Sequence, residues 1–230
     1  MMELSEIESE AIWLSLKVSI WAVAFSIPFA LGCAWLLARR EFIGKNILNG
    51  IIHLPLVLPP VVMGYLLLVS FGTKGFPGAL LKEWFNLTFI FSWRGAALAA
   101  AVVSFPLMVR TMRLSYEAMD EKLEAAALTL GATPFRVFFT VTLPLIMPGV
   151  LAGCILAFAR CLGEFGATIT FVSNIPGETR TIPIAIFNLI QQPEGTALAM
   201  RLVIISLVLA MVALVGAEMM NKKLSKILNG

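Results

Sequence analysis

Two ionisable side chains four residues apart, Arg160 and Glu164, are the first candidates for chemistry. On a helix that spacing lets them pair. They lie at the end of an apolar run, where charge is costly unless it faces a bundle interior or a water-filled cavity. Such a pair can admit a dianion at Arg160, with Glu164 balancing the charge when the site is empty; it can equally be an interfacial salt bridge that only orients its helix. Phe165, Thr168, Thr170 and Ser173 follow, with Gly163 and Gly166, small and hydroxyl groups suited to the close packing and weak anion contacts of a gate. His53 is the only histidine, and reads as a structural or interfacial group rather than a ligand. Cys33, Cys154 and Cys161 fall in or beside apolar runs, show no metal spacing and read as small packing residues. One histidine, no carboxylate cluster and no G-x-x-x-x-G-K-[ST] phosphate loop leave little from which to build a membrane enzyme or an ATPase. No catalytic residue and no metal site are assigned.

The elements that must position these residues belong in lipid. Of the 230 residues, 59% are hydrophobic and 13% charged, and the mean hydropathy is +0.91, against about half apolar and a quarter charged in soluble domains. A spread-out net charge of +3 does not suit nucleic acid. Crossing the hydrocarbon core takes about 20 apolar residues in a helix, and the runs predict spans at 11–38, 51–71, 94–112, 143–162 and 198–218. The stretch 181–190 is too short to cross and is expected to lie at the outer face or re-enter the bundle. The expectation is an all-α, polytopic membrane protein, one domain over 1–230, with five transmembrane helices, or six if 181–190 counts. The first run follows an acidic head (Glu3, Glu6, Glu8, Glu10), so it reads as a retained helix rather than a signal peptide.

Lysine and arginine collect on one side when the N-terminus is placed outside: ten, including Arg39, Arg40, Arg110, Arg113 and Lys222, fall in cytoplasmic loops or the tail, and seven elsewhere. Pro55, Pro59 and Pro60 remove backbone donors within one apolar run and predict a kink or break in the second span, either lining a cavity or as an ordinary proline bend.

Between the third and fourth spans, 117–144 reads as two short helices with a hinge. The first should run to Leu130, with Gly131 as its left-handed stop; the second should begin with Thr133 as N-cap and Pro134 in the first helical position. Phe135, Val137, Phe138 and Phe139 are too apolar for a free loop. The pair either packs on the ends of its own spans or docks another protein.

The stretch Glu124 to Pro144 resembles the EAA loop of ABC-importer permeases: Gly131, nine residues, then Val141-Thr142-Leu143-Pro144, with Val for the usual Ile. Glycine spacing aligns the triplet with Ala125, Ala126 and Ala127, so Glu124 stands one position early. Three longer strings, His53 to Tyr65, Phe91 to Ala97 and Ala159 to Pro183, are similar to the molybdate ABC-transporter permease family, within the binding-protein-dependent inner-membrane components. Sulfate permeases share much of the pattern. The resemblance implies a type I importer fold working as a homodimer. It implies a translocation pathway near Pro55, Pro59, Pro60 and the Arg160–Ser173 stretch, and transport of molybdate or tungstate. It assigns ATPase coupling to Glu124, Ala125, Ala126, Ala127, Gly131, Ala132, Pro134, Phe135, Arg136, Leu143 and Pro144. The implied partners are two cytoplasmic ATPase subunits and an extracytoplasmic molybdate-binding protein, which the loop with Asn174, Pro176, Gly177 and Glu178 would meet. No cofactor is expected on this chain, ATP and Mg being held by the ATPase. The implied location is the bacterial cytoplasmic membrane, with the C-terminus inside. A passive channel is the alternative without coupling.

Overall fold

In the computed structural model, which describes residues 5–193 and 195–229, every regular element is a helix. Ser5 opens α1 (Glu6–Arg39) through a reciprocal capping box with Glu8. Ala11, Leu14, Val18, Ala22, Ser26, Ala30, Ala34 and Leu37 recur every three or four residues along its buried side, a mostly small-residue stripe that lets another backbone approach closely. That neighbour is α5 (Trp93–Ala118), itself rich in buried alanine.

α5 is the centre of the bundle. Two-thirds of its most apolar window, 67%, is buried, against 11% for the corresponding window of α11 (Thr196–Asn229). Its first half packs with α1 around Ala96, Ala100 and Val103, together with Phe171. Its other half packs Met108, Val109, Met112 and Tyr116 against Ile146, Val150 and Ala157 of α8 (Leu143–Leu162).

Among the described residues, four helices are long and apolar enough to cross a membrane, and a fifth crossing is made if a bent pair is one span. That pair is the second span expected at 51–71, and it is broken as its prolines predict. α2 (Lys45–Val57) and α3 (Pro60–Phe71) meet at a 116° bend. The break falls at Leu58–Pro59, and Pro60 then occupies the first position of α3, where its missing N–H costs nothing. Pro55, in contrast, is carried inside α2 without ending it.

Two further features differ from the sequence expectation. α4 (Phe76–Phe85) is an additional short helix with Phe76, Trp84 and Phe85 exposed. The second helix of the 117–144 loop is not separate: α7 (Pro134–Val137) runs through a π-helical turn (Phe138–Thr142) directly into α8. Pro144 accounts for this, because a proline inside a helix cannot bond to the carbonyl four residues back, and its ring crowds that carbonyl. The wider turn takes up the misfit, with Leu143 N–H reaching Phe138 O.

α8 stops at Leu162, and α9 (Gly166–Val172) restarts the chain. α10 (Ile182–Leu189) is the 181–190 segment; at eight residues, about 12 Å, it cannot cross. It is fastened to α1 by a buried hydrogen bond of 2.7 Å from Ile182 N–H to Ser15 Oγ.

Candidate functional site

Two groups of residues stand out, at opposite ends of α8. The first is built by α6 (Glu121–Thr129), α7 and the end of α1. Asp120 caps α6 by accepting from Lys122 N–H, and the helix ends where Gly131 takes φ +86°, a left-handed conformation costly for any residue with a Cβ. Thr133 then accepts from Arg136 N–H, and Pro134 opens α7. The hinge therefore has the anatomy that its residues imply.

Four polar contacts hold this hinge to the bundle. Arg39, the last residue of α1, pairs with Glu121 and lies 3.8 Å from the Glu124 carboxylate, and its guanidinium also donates to Met119 O at 3.4 Å. Glu124 accepts from the Thr142 hydroxyl in the π-helical turn. One carboxylate thus joins α1, α6 and the head of α8. A cavity of about 430 Å³ between these elements is lined by Arg39, Arg40, Glu121, Glu124, Leu128, Pro134 and Thr142, among others.

Of the hinge's apolar side chains Val137 is buried and Phe138 half-buried, and the others do not fold back onto its own spans. α6 buries none of its residues. Leu130 is 88% and Phe135 75% exposed, and Phe139 is exposed beside it, the rings of Phe135 and Phe139 lying 4.7 Å apart. Val137 alone among the α7 residues is buried. Ala125, Ala126 and Arg136 are exposed and Ala127 and Ala132 half-buried on the same projection, while Leu143 and Pro144 lie at the head of α8.

The second group surrounds the gap between α8 and α9. Arg160 and Glu164 pair at 2.7 Å, as their spacing predicts. Glu164 is 3% exposed, and its other oxygen accepts from Ala167 N–H at 2.8 Å, holding the first turn of α9. A buried carboxylate with one oxygen on a cation and the other on a helix's free N–H group has its charge balanced twice.

α9 lies against α3 with no room to spare. A Cβ on Gly64 of α3 would sit 2.5 Å from Ala167 O, and one on Gly166 would sit 2.8 Å from Pro60. The proline bend and the Arg160–Ser173 stretch are thereby brought together: Pro60 meets Gly166, with Pro59 just before it. Pro55 lies farther back on α2. Phe165 stacks on Phe187 of α10, ring centres 5.0 Å apart. The hydroxyl residues divide. Thr168 is buried, Thr170 donates to Gly166 O at 2.8 Å, and Ser173 is exposed, ending α9 with φ +64°. Beyond it, Thr179 is buried and ties the turn by accepting from Ile175 N–H and donating to Ser173 O, leaving Pro176, Gly177 and Glu178 exposed.

Arg39, Glu121 and Thr142 were not legible as site residues. Arg39 is visible in the sequence only as a positive charge after a span, and nothing in local spacing connects it to residues more than 80 positions away. Gly64 gave one signal, a glycine in an otherwise large apolar run.

Residues 26–226 match the family described as "Binding-protein-dependent transport system inner membrane component". The chain is 64% identical over 217 residues to the molybdenum transport system permease protein ModB of Escherichia coli strain K12, covering 94% of this chain and 95% of that one. It is 57% identical over 219 residues to the ModB protein of Haemophilus influenzae, covering 95% and 96%. With the sulfate transport system permease protein CysW of Synechococcus elongatus it shares 38% identity over 187 residues, 81% of this chain and 65% of the other. Among solved structures, it resembles a bacterial ABC transporter involved in alginate import, with a TM-score of 0.73 at 20% identity, covering 95% and 80% of the two chains. It also resembles the methionine ABC transporter MetNI in an inward-facing crystal form, with a TM-score of 0.72 at 14% identity, covering 96% and 99%. At those identities what is shared is the fold, that of type I ABC-importer permeases.

Proposed function

Because this chain belongs to the binding-protein-dependent transport system inner membrane component family, and is a multi-pass permease subunit, we propose that it forms the translocation pathway of an ATP-driven importer for molybdate, with tungstate as a second substrate. The observation that carries the coupling half of this reading is the projecting α6–α7 hinge. Its Leu130 and Phe135 are exposed rather than buried against the bundle, and an apolar knob on a rigid, capped hinge suits a groove in a partner protein. The partner is a separate cytoplasmic ATPase, two copies serving a homodimer of this chain. ATP and Mg belong to that subunit, and this chain carries no cofactor. The substrate half rests on the 64% identity to a molybdenum permease across nearly the whole chain.

In this reading the N-terminus is outside, the C-terminus is in the cytoplasm and the membrane is the bacterial cytoplasmic one. An extracytoplasmic binding protein delivers the anion at the exposed 176–178 turn. Closure of the ATPases draws the two hinges together and opens the cavity outward; their release opens it inward. Arg160 offers the passing dianion a positive charge that Glu164 neutralises when the path is empty, so the anion is held weakly and can leave.

Sulfate is the second reading, favoured by the similarity to CysW. Proteoliposomes holding this chain, its ATPase and its binding protein should take up radiolabelled molybdate on addition of ATP, with tungstate competing and sulfate not. Uptake of sulfate in preference to molybdate would reverse the substrate assignment.

A further inference from the structure

Away from the hinge and the α3–α9 contact, one cavity gathers cations. It lies between α2 and the second half of α5, encloses about 320 Å³, and is lined by Asn49, His53, Arg110, Arg113, Leu114 and Glu117. Arg110, Arg113 and Glu117 share one face of α5 by their spacing.

The walls are held by their own bonds. Arg113 donates through Nε to Glu117 at 2.7 Å and through Nη1 to Asn49 Oδ1 at 3.3 Å. A guanidinium has five N–H donors, so most of this one remains available. His53 Nδ1 lies 2.8 Å from Asn49 O, which fixes its ring on α2. Arg110 is exposed and has no ion pair among the described residues. Two arginines against one carboxylate, already engaged, leave the cavity net positive.

Depth decides what reaches it. Lys17 lies 3.9 Å over the Trp93 ring, and Trp21 packs on the same indole, an arrangement typical of the aromatic belt at one membrane interface. Arg110 and Arg113 are 17 and 20 residues farther along α5, about 26 and 30 Å at the helical rise. That is the thickness of the hydrocarbon core, so the arginines stand at headgroup level on the opposite side. Leu114, exposed among them, adds an apolar edge.

We propose that this cavity binds the phosphodiester headgroup of an anionic phospholipid, clamping α2 to α5 just ahead of the hinge. The lipid belongs to the leaflet on the hinge side; naming that leaflet cytoplasmic rests on the orientation proposed above. Since α2 is one arm of the bent pair that packs on α9 through α3, a lipid held here ties the pathway helices to the element that enters the hinge.

The full-length chain in nanodiscs of phosphatidylcholine with graded phosphatidylglycerol tests this by native mass spectrometry of retained lipid. Wild type should retain phosphatidylglycerol in preference to phosphatidylcholine. Arg110→Gln should lose about five-fold in that preference, the contribution of one cation near an anionic surface, and Arg110→Lys should keep it. Equal retention by wild type and Arg110→Gln overturns the proposal. Inorganic phosphate and molybdate, added as competitors, should not displace the lipid; displacement by either would make this a site for a soluble oxyanion and overturn the lipid assignment. The measurement needs no ATPase, binding protein or uptake, so its failure is separable from failure of the transport reading.

Discussion

Glu124 accepts a hydrogen bond from the hydroxyl of Thr142, 18 residues on, while its carboxylate also lies 3.8 Å from Arg39 at the end of α1. This contact joins the front of the hinge to the head of α8 across Gly131. A push on α6 is therefore delivered to two transmembrane helices at once, rather than being lost in the turn.

Removing that contact should loosen the hinge without unfolding the bundle. Thr142 is buried, so Thr142→Val leaves Glu124 short of one neutral partner, at a cost of about 1 kcal/mol. Amide exchange in α6 should quicken roughly five-fold, and transport per ATP hydrolysed should fall, whereas a hinge held by other contacts would show neither change.

The exposed knob should matter for docking and not for folding. Phe135→Asp or Leu130→Asp removes apolar surface that is largely exposed, so the loss of stability should stay within the scatter expected of surface changes, about 0.5 kcal/mol, as read by the melting temperature. Co-purification with the ATPase should drop by at least ten-fold, a loss of about 1.4 kcal/mol in binding. Retention of the ATPase by both variants would remove the knob from the interface.

At the other end of α8, Gly64→Ala should be costly. Its Cβ would meet Ala167 O at 2.5 Å, backbone that cannot swing aside, and overpacking of this kind costs about 1–3 kcal/mol. Gly50→Ala on α2, which has open space around it, is the control and should be neutral or slightly stabilising. Thermal denaturation of the two variants compares them directly, and equal stability would mean that α3 and α9 do not pack as described.

The sequence made the long elements plain because their apolar runs exceed the thickness of the bilayer. It also placed the caps of the hinge, since Thr133, Pro134 and Gly131 act locally. The 116° bend was only half legible. Pro59 and Pro60 signal a break, but its angle depends on α3 finding α9 through Gly64, a contact more than 100 residues away in the chain. α4 escaped notice because Lys82 and Glu83 interrupt its apolar run, and the fusion of α7 with α8 because a π-helical turn has no signature in residue spacing. The pairing of Arg160 with Glu164 was predictable from four-residue spacing; the clasp of Arg39 on Glu121 and Glu124 was not, since only the tertiary fold brings them together.

The most direct test of the central claim is ATP-driven molybdate uptake by proteoliposomes containing this chain with its ATPase and binding protein, comparing wild type with Gly131→Pro. Proline cannot take the positive φ that residue 131 adopts, so the variant should fold, lose uptake and lose the stimulation of ATP hydrolysis by loaded binding protein. Uptake that proceeds without the ATPase, or that survives Gly131→Pro undiminished, would contradict coupling through this hinge.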